Sequence, residues 1–132
     1  MKSLVTLIFG VFVVFYAFAQ EEAKLEGPVI TFEATSHDFG DITQGEKVAH
    51  VFKFENTGTN PLVITNVQST CGCTATEWPR EPILPGETGS IKVNYDSTGR
   101  YGRQNKVISV VSNAVSPLNQ VKITTNVLPA GD

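Results

Sequence analysis

The sequence contains few residues that could carry out chemistry. Cysteine and histidine each occur twice, and tryptophan once, in 132 residues. Two cysteines are too few for a miniprotein held together by disulfides, so a hydrophobic core has to stabilise the fold. A glycine-rich phosphate loop, a Gly-x-Ser-x-Gly elbow and a His-Glu-x-x-His motif are also missing. We therefore predict a non-catalytic protein without a resident cofactor.

A large excess of charge of either sign is missing as well. The formal net charge is −3. Proteins that bind nucleic acid present a clustered basic surface to the phosphates. The mild acidity therefore argues against nucleic acid as a partner.

The one long apolar run, residues 4–18, is shorter than the roughly 20 residues that a membrane span needs. Lys2 precedes this run, and Ala17 and Ala19 give the small-x-small pattern of a signal-peptide cleavage site. We predict a signal peptide over residues 1–19, a flexible leader over 20–28 and a folded domain over 29–132. A retained N-terminal anchor is the alternative. The cleaved protein would be exported, to the periplasm or beyond the cell, with no membrane span.

The 3.6-residue spacing of an amphipathic helix is absent from the mature chain, and short β-type segments separated by turn formers take its place. Residues 37–42 are expected to turn at Gly40. Residues 75–86 contain three prolines and are expected to form a crossing connection in the sandwich, with at most an edge strand. This pattern predicts an all-β, immunoglobulin-like sandwich of about seven strands, with a small closed barrel as the alternative. The predicted strands cover residues 29–33, 47–55, 62–67, 91–95, 106–111 and 121–127.

The clearest alternation lies in residues 47–55. Val48, His50, Phe52 and Phe54 share one face, and the intervening residues share the other. Two phenylalanines on one face predict that this face is buried. His50 would then lie at the rim of the core.

The stretch Cys71-Gly72-Cys73 is the most unusual feature of the chain. Two residues of extended strand separate Cα atoms by roughly 6.5–7 Å, which is at the far limit for a disulfide. Gly72 would allow a bend that shortens this distance. Three interpretations stay open: a disulfide between Cys71 and Cys73, two thiolates for a soft metal such as Cu(I), or two small buried residues without chemistry.

Other residues suggest weaker sites. Cys71 and Cys73 with His37 and His50 have the composition of a zinc site, but their spacing does not bring them together. Trp78 and Tyr101 are interpreted as caps on the core, with a stacking surface for sugar as the alternative. A basic cluster in the sequence consists of Arg100, Arg103 and Lys106. We interpret it as part of a solvated loop, with binding of an anionic partner as the alternative.

Six segments together resemble a known family over residues 32–126. They are HDFGDI (37–42), FKFENTG (52–58), PLVI (61–64), STCGCT (69–74), PILPG (82–86) and SNA (112–114). Their order and spacing resemble the exported bacterial proteins grouped as domain of unknown function 1573, which are similar to Hydin-type (ASH) and PapD-like immunoglobulin domains. Arg103-Gln104 stands where the family pattern usually has an aromatic residue. The resemblance implies an immunoglobulin-like fold, no catalytic residue, and Cys71-Gly72-Cys73 as a position of interest.

Two functional hypotheses follow. The first is a binding or scaffolding module of the cell envelope, with an envelope protein or glycan as its partner. The second is a thiol redox or copper(I)-handling protein that acts through Cys71 and Cys73.

Overall fold

The computed structural model describes residues 26–131, and every regular element among them is a β-strand. The absence of helix from these residues confirms the prediction from periodicity, and no helix there could cross a membrane. The eight strands are β1 (Ile30–Phe32), β2 (Ser36–Thr43), β3 (Lys47–Asn56), β4 (Ile64–Ser69), β5 (Thr74–Glu77), β6 (Thr88–Asp96), β7 (Gly102–Ser112) and β8 (Leu118–Leu128).

The strands form two four-stranded sheets. Sheet A has the order β1-β3-β6-β5, and sheet B has the order β2-β8-β7-β4. Sheet A follows the A-B-E-D order of immunoglobulin domains, and β4, β7 and β8 correspond to strands C, F and G. The predicted immunoglobulin-like sandwich is therefore confirmed, and two separate sheets replace the closed barrel that we considered as its alternative.

The strand that the sequence did not predict is β2. Gly40 has a positive φ of 71°, and the parallel pairing of β2 with β8 is irregular between Asp38 and Asp41. Gly40 therefore bends the strand without ending it, which is the geometry of a β-bulge. The turn expected at Gly40 is wrong for this reason.

The bulge in β2 also changes which side chains face the core. His37 and Phe39 are half-buried and Ile42 is 6% exposed, although Phe39 and Ile42 are three residues apart. In a regular strand such residues would lie on opposite faces. The bulge thus places three inward-facing side chains on one short strand.

The alternation predicted for β3 is confirmed. Phe52 and Phe54 are each 1% exposed, and Val48 and His50 face the same way at the half-buried end of the strand. Residues of the other parity, such as Lys53, are exposed. The core between the sheets also takes in the inward residues of β6 and β8, among them Ile91, Val93, Tyr95, Val121, Ile123 and Val127.

The chain changes sheets between β4 and β5. β4 is an edge strand of sheet B, and β5 is an edge strand of sheet A. The expected edge strand is therefore β5, but the expectation that residues 75–86 make the crossing is wrong, because β5 and β6 are neighbours in the same sheet. Residues 70–73 make the crossing. The two cysteines therefore lie where one end of the sandwich is closed by a single short loop.

The start of the described chain is attached to the sandwich. The Gly27 N–H donates to Thr59 Oγ1 at 2.9 Å, and the Pro28 carbonyl accepts from the Val115 N–H at 2.9 Å. These two residues, which we assigned to the leader, thus bond to the body of the fold. The predicted signal peptide and residues 20–25 of the leader lie outside the described residues.

Candidate functional site

Hydrogen bonds that do not involve sulfur fix the shape of the loop at residues 70–73. Ser69 Oγ donates to the Cys71 carbonyl at 2.7 Å, and the Thr74 carbonyl lies 3.3 Å from the same hydroxyl. The Thr70 N–H donates to the Val107 carbonyl at 3.2 Å on one side, and the Asp96 N–H donates to the Cys73 carbonyl at 2.9 Å on the other. The loop is therefore tied to both sheets by its backbone.

Cys71 and Cys73 are joined by a disulfide in this loop. Their Cα atoms are 5.4 Å apart, which is shorter than an extended strand would give and within the usual range for a disulfide. Both cysteines are half-buried, and Gly72 between them is exposed. Thr74 Oγ1 lies 3.9 Å from each sulfur, and the Cys73 N–H donates to Cys71 Sγ at 3.3 Å.

A hollow of about 380 Å³ lies beside the disulfide, on the outer surface of sheet A. Its lining includes Gly72, Cys73 and Ala75 from the loop and β5, and Lys47 and Ala49 from β3. The small side chains of the two alanines leave room for an incoming group next to Cys73. The hollow requires the neighbouring strands of sheet A, so the sequence around the cysteines alone could not indicate it.

Tyr95 lies under this end of sheet A, opposite Thr74 in the neighbouring strand. It is 1% exposed, and its hydroxyl has no hydrogen-bond partner among the described residues. Burial raises the pKa of Tyr95, and the positive charge of Arg100 partly opposes this shift. The hydroxyl therefore stays protonated and neutral at physiological pH.

We predict that the double variant Cys71→Ser/Cys73→Ser folds and loses less than about 2 kcal/mol of stability. The chain-entropy expression gives only about 1.6 kcal/mol for so small a ring, and the backbone hydrogen bonds of the loop do not depend on it. Chemical denaturation of the oxidised wild type and the double variant measures the difference. Failure of the double variant to fold would show that the disulfide is structural.

Metal binding at this site would use the two sulfurs alone. Among residues 26–131 no group of three or more histidine, cysteine, aspartate or glutamate side chains is placed to hold one ion. Two thiolates released by reduction of the disulfide would match the soft, low-coordinate ligation that Cu(I) accepts. The residues present thus fit copper(I) only in the reduced state.

The two histidines, which the spacing did not bring together, are stacked across the sandwich. The ring centroids of His37 on β2 and His50 on β3 are 3.8 Å apart with an interplanar angle of 8°. Phe39 packs edge-on against His37 at 4.7 Å, and Phe52 packs edge-on against His50 at 4.6 Å. Parity predicted the position of His50, but the bulge at Gly40 was needed to place His37.

We expect acid to destabilise the protein through His50. Burial, and then the neighbouring His37, lower the pKa of His50 below its ordinary value of 6.5. The unfolded chain therefore binds a proton more readily than the folded one, and stability is lost as the pH falls through about 6.5. The pKa values of Asp38 and Asp96 are also lowered. The stability that these carboxylates contribute is lost only as the pH falls below their ordinary pKa of 3.8, so they do not change the stability near pH 6.5.

Denaturation midpoints at about pH 7.5 and pH 5.5 test this expectation, because these values bracket the ordinary histidine pKa. The matched variant is His50→Phe, which keeps a ring against Phe52 and removes the titrating group. The wild type should lose more stability than the variant over this interval. Equal losses would show that His50 does not contribute.

The two aromatic residues considered for sugar binding are separated. Trp78 follows β5 next to the Glu77–Lys92 pair, while Tyr101 follows β6 beyond Asp96. Lys92 and Asp96 are four residues apart on β6, so Trp78 and Tyr101 are separated by at least roughly 13 Å along the strand. Arg80 also covers the Trp78 ring, with its guanidinium carbon 3.6 Å from the ring centroid. Trp78 packs against the core and Tyr101 is 68% exposed, so Trp78 alone fits the interpretation as a core cap.

The three basic residues near β7 do not form one patch. Arg103 and Lys106 are three residues apart on the strand and so belong to opposite faces. The Arg103 guanidinium lies 3.8 Å from the Asp38 carboxylate, with both side chains more than half exposed. Burial, and then the charge of Arg100, lower the pKa of Lys106. The arrangement fits the interpretation of Arg103 as part of a solvated surface.

Comparisons with solved structures show the same fold in proteins of distant sequence. The ASH/PapD-like domain 7 of human CEP192 superposes with a TM-score of 0.65 at 10% identity, covering 80% of this chain and 89% of that domain. The YadV chaperone gives a TM-score of 0.51 at 19% identity, covering 77% of this chain and 52% of YadV. At these identities the similarity shows the fold alone.

A protein of unknown function from Porphyromonas gingivalis W83 gives a TM-score of 0.67 at 21% identity over 78% of this chain. The chain corresponds to 48% of the length of that protein. No curated protein matches the sequence.

The family comparison agrees with the resemblance inferred from the six segments. The model of a family described as protein of unknown function (DUF1573) matches residues 30–127. This range runs from the start of β1 nearly to the end of β8 and includes the cysteine loop. The chain therefore belongs to the DUF1573 family.

Proposed function

We propose that the protein is an exported, non-catalytic module that binds a polypeptide partner in the cell envelope through the outer surface of sheet A. This surface, called the A face below, consists of the outward side chains of β1, β3, β6 and β5. The same fold occurs in the chaperone YadV.

The observation that supports this proposal is a series of shallow hollows along the A face. The hollow beside Cys73 measures about 380 Å³. A second of about 710 Å³ lies over β1, β3 and β6, and a third of about 510 Å³ lies between β5 and β6. The last two share Ser90 and Gly89 of β6. The hollows together give a long, open surface across the four strands of sheet A.

Charges of both signs alternate across the A face without ion pairs. Three lysines lie beside acidic residues of neighbouring strands: Lys47 beside Asp96, Lys92 beside Glu77 and Lys53 beside Glu33. Within residues 26–131, Arg103–Asp38 in sheet B is the one ion pair closer than 4.0 Å. Charges of both signs that do not form ion pairs with one another favour a partner with its own pattern of charges, which provides specificity and orientation.

A polypeptide fits the A face better than a glycan does. Glycan recognition commonly relies on an exposed aromatic platform, but Arg80 covers the Trp78 ring on this face. Tyr101 lies beyond the end of β6 and contributes no second ring there. The alternating charges instead match the side chains of a polypeptide.

Two matched serine variants test the binding face. Ser90 on β6 points outward from sheet A, and Ser109 on β7 points outward from sheet B. Ser90→Arg should abolish capture of the partner from an envelope extract by the purified mature chain, because the long side chain would fill two hollows. Ser109→Arg should leave capture unchanged. Equal capture by both variants, with circular dichroism showing both to be folded, would place the binding surface elsewhere.

Export is supported by the N-terminal sequence pattern and by the disulfide, which persists in oxidising compartments. We expect the mature protein to begin at Gln20 and to be recovered free of the membrane. N-terminal sequencing of the protein from fractionated cells measures both. Recovery of the full chain with Met1 in the membrane fraction would contradict export by cleavage and support the anchored alternative.

Thiol chemistry is the second candidate function, in which the Cys71–Cys73 pair exchanges electrons or carries Cu(I). Its supporting observation is a half-exposed disulfide in a loop whose shape other hydrogen bonds already fix. Dithiothreitol should reduce the pair while the protein stays folded, and the reduced protein should then bind Cu(I), whereas Cys71→Ser/Cys73→Ser should not. This function would be excluded if dithiothreitol does not reduce the pair in the folded protein and if the pair, once reduced, does not bind Cu(I).

A further inference from the structure

Resting on the thiol-exchange function proposed above, the geometry points to a defined order of events at the disulfide. We propose that a dithiol polypeptide bound in the hollow on the A face reduces the pair by attacking Cys73, with Cys71 as the leaving sulfur. Three features of the site support this order: the stability of the loop, the asymmetry of the hydrogen bonds to the sulfurs and the access to each sulfur.

The loop can open its disulfide without losing its shape. Ser69 Oγ holds the Cys71 carbonyl, and the Cys73 carbonyl is held by the Asp96 N–H of β6. The Thr74 N–H also lies 3.4 Å from the Cys71 carbonyl. None of these bonds uses a sulfur atom. Both cysteines therefore keep their positions when the bond between them is broken.

The two sulfurs differ in the donors that reach them. The Cys73 N–H donates to Cys71 Sγ at 3.3 Å. Thr74 Oγ1 lies 3.9 Å from both sulfurs and so does not distinguish them. Among the described residues, Cys71 Sγ thus has one backbone donor that Cys73 Sγ lacks. A hydrogen bond to sulfur stabilises a thiolate more than a thiol, and a stabilised thiolate is the better leaving group.

Access favours Cys73 as the sulfur that is attacked. Cys73 lines the hollow on the A face, whereas Cys71 is not part of that lining. Gly72 has no side chain to cover the approach, and Ala49 forms part of the opposite wall. Lys47 and Asp96 in the lining carry one charge of each sign, so access and not charge distinguishes the two sulfurs. An attacking sulfur in the hollow therefore meets Cys73 first.

The exchange balances in two steps. In the first step a thiolate of the partner bonds to Cys73 Sγ, the Cys71–Cys73 bond breaks, and its electron pair stays on Cys71 as a thiolate. In the second step the other thiolate of the partner attacks the partner sulfur of this mixed disulfide and releases Cys73. The partner leaves as a disulfide, and the two protons it gave up are taken by the cysteines. Two electrons have passed to this protein.

Reduced glutathione tests the order, because its single thiol forms a mixed disulfide that a brief reaction and an acid quench can trap before a second thiolate resolves it. The oxidised mature chain is treated briefly with glutathione, quenched with acid, alkylated and analysed by fragmentation mass spectrometry. We expect glutathione on Cys73 and the alkyl group on Cys71, in a ratio of at least roughly ten to one. Glutathione on Cys71, or equal labelling, would overturn the proposed order while leaving thiol exchange intact. A disulfide that neither glutathione nor dithiothreitol reduces would exclude the exchange function itself.

A second measurement tests the role of the hollow. Ala49→Phe fills it, and Val51→Phe adds the same ring two positions along the same face of β3, outside its lining. Ala49→Phe should slow the reaction with glutathione roughly tenfold by restricting access, whereas Val51→Phe should react at the wild-type rate. Equal rates for the two variants would show that the attack does not come from the hollow.

Discussion

Phe52→Ala and Phe54→Ala should each lower the free energy of unfolding by about 3–5 kcal/mol. Each ring is 1% exposed, and both lie at the centre of the core between the sheets. Phe32 packs edge-on against Phe54 at 5.7 Å, and His50 packs edge-on against Phe52 at 4.6 Å. Truncation therefore removes buried apolar area and leaves a cavity that the sheets cannot close by moving together.

Lys53→Ala is the matched control, since Lys53 lies between the two phenylalanines on the opposite, exposed face of β3. Its truncation should change stability by less than about 0.5 kcal/mol. Urea denaturation of the three variants gives the comparison. Similar losses at all three positions would show that the assigned faces of β3 are wrong.

Asn56→Ala should cost at least about 3 kcal/mol, because it breaks a buried network of hydrogen bonds. Asn56 ends β3 and is 0% exposed. Its Nδ2 donates to the carbonyls of Asn60 and Ile83, both at 2.8 Å. Its Oδ1 accepts from the N–H groups of Gly58 at 3.0 Å and Val29 at 3.3 Å. One side chain thus joins the turn after β3 to the start of β1 and to the connection between β5 and β6.

The cost comes from the partners that the substitution would leave without hydrogen bonds. Each buried polar group left in this way costs about 1–3 kcal/mol. The N–H groups of Val29 and Gly58 and the Asn60 carbonyl would lose this partner, whereas the Ile83 carbonyl still accepts from the Leu62 N–H at 2.8 Å. Asn60→Ala, in the same turn, is the matched control, because the Asn60 side chain contacts only the exposed Thr59 hydroxyl. Thermal or urea unfolding should show a large loss for Asn56→Ala and a small one for Asn60→Ala. Equal losses would mean that Asn56 is an ordinary turn residue.

The parts of the fold that the sequence predicted are those with regular alternation. β3 buries Phe52 and Phe54 and exposes the residues on either side of each ring up to Glu55, so parity alone assigned its faces correctly. β8 is less regular, because Thr124 is buried together with its neighbours Ile123 and Thr125. β2 was missed because Gly40 signals a turn in isolation, and only pairing with β8 keeps the chain extended through it. The buried network of Asn56 has no local signal in the sequence, because its partners Val29 and Ile83 lie 27 residues away on either side.

The candidate site was predictable in part for a similar reason. The spacing of Cys71 and Cys73 pointed to the loop itself. The hollow beside Cys73 depends on β3, which is far away in sequence and meets this site only through the strand order of sheet A. The stacking of His37 on His50 likewise needs both the contact between the sheets and the bulge at Gly40. Such features depend on tertiary structure, and no local pattern in the sequence encodes them.

The most direct test of the central claim, that the A face binds a polypeptide in the envelope, is site-specific photo-crosslinking in intact cells. A photoreactive residue placed at Ser90 reports on the A face, and the same residue at Ser109 reports on the outer surface of sheet B. We predict one discrete protein adduct from position 90, lost when an excess of the unlabelled domain competes, and none from position 109. Adducts from position 109 alone, or none from position 90 in cells that retain the partner, would contradict the proposal.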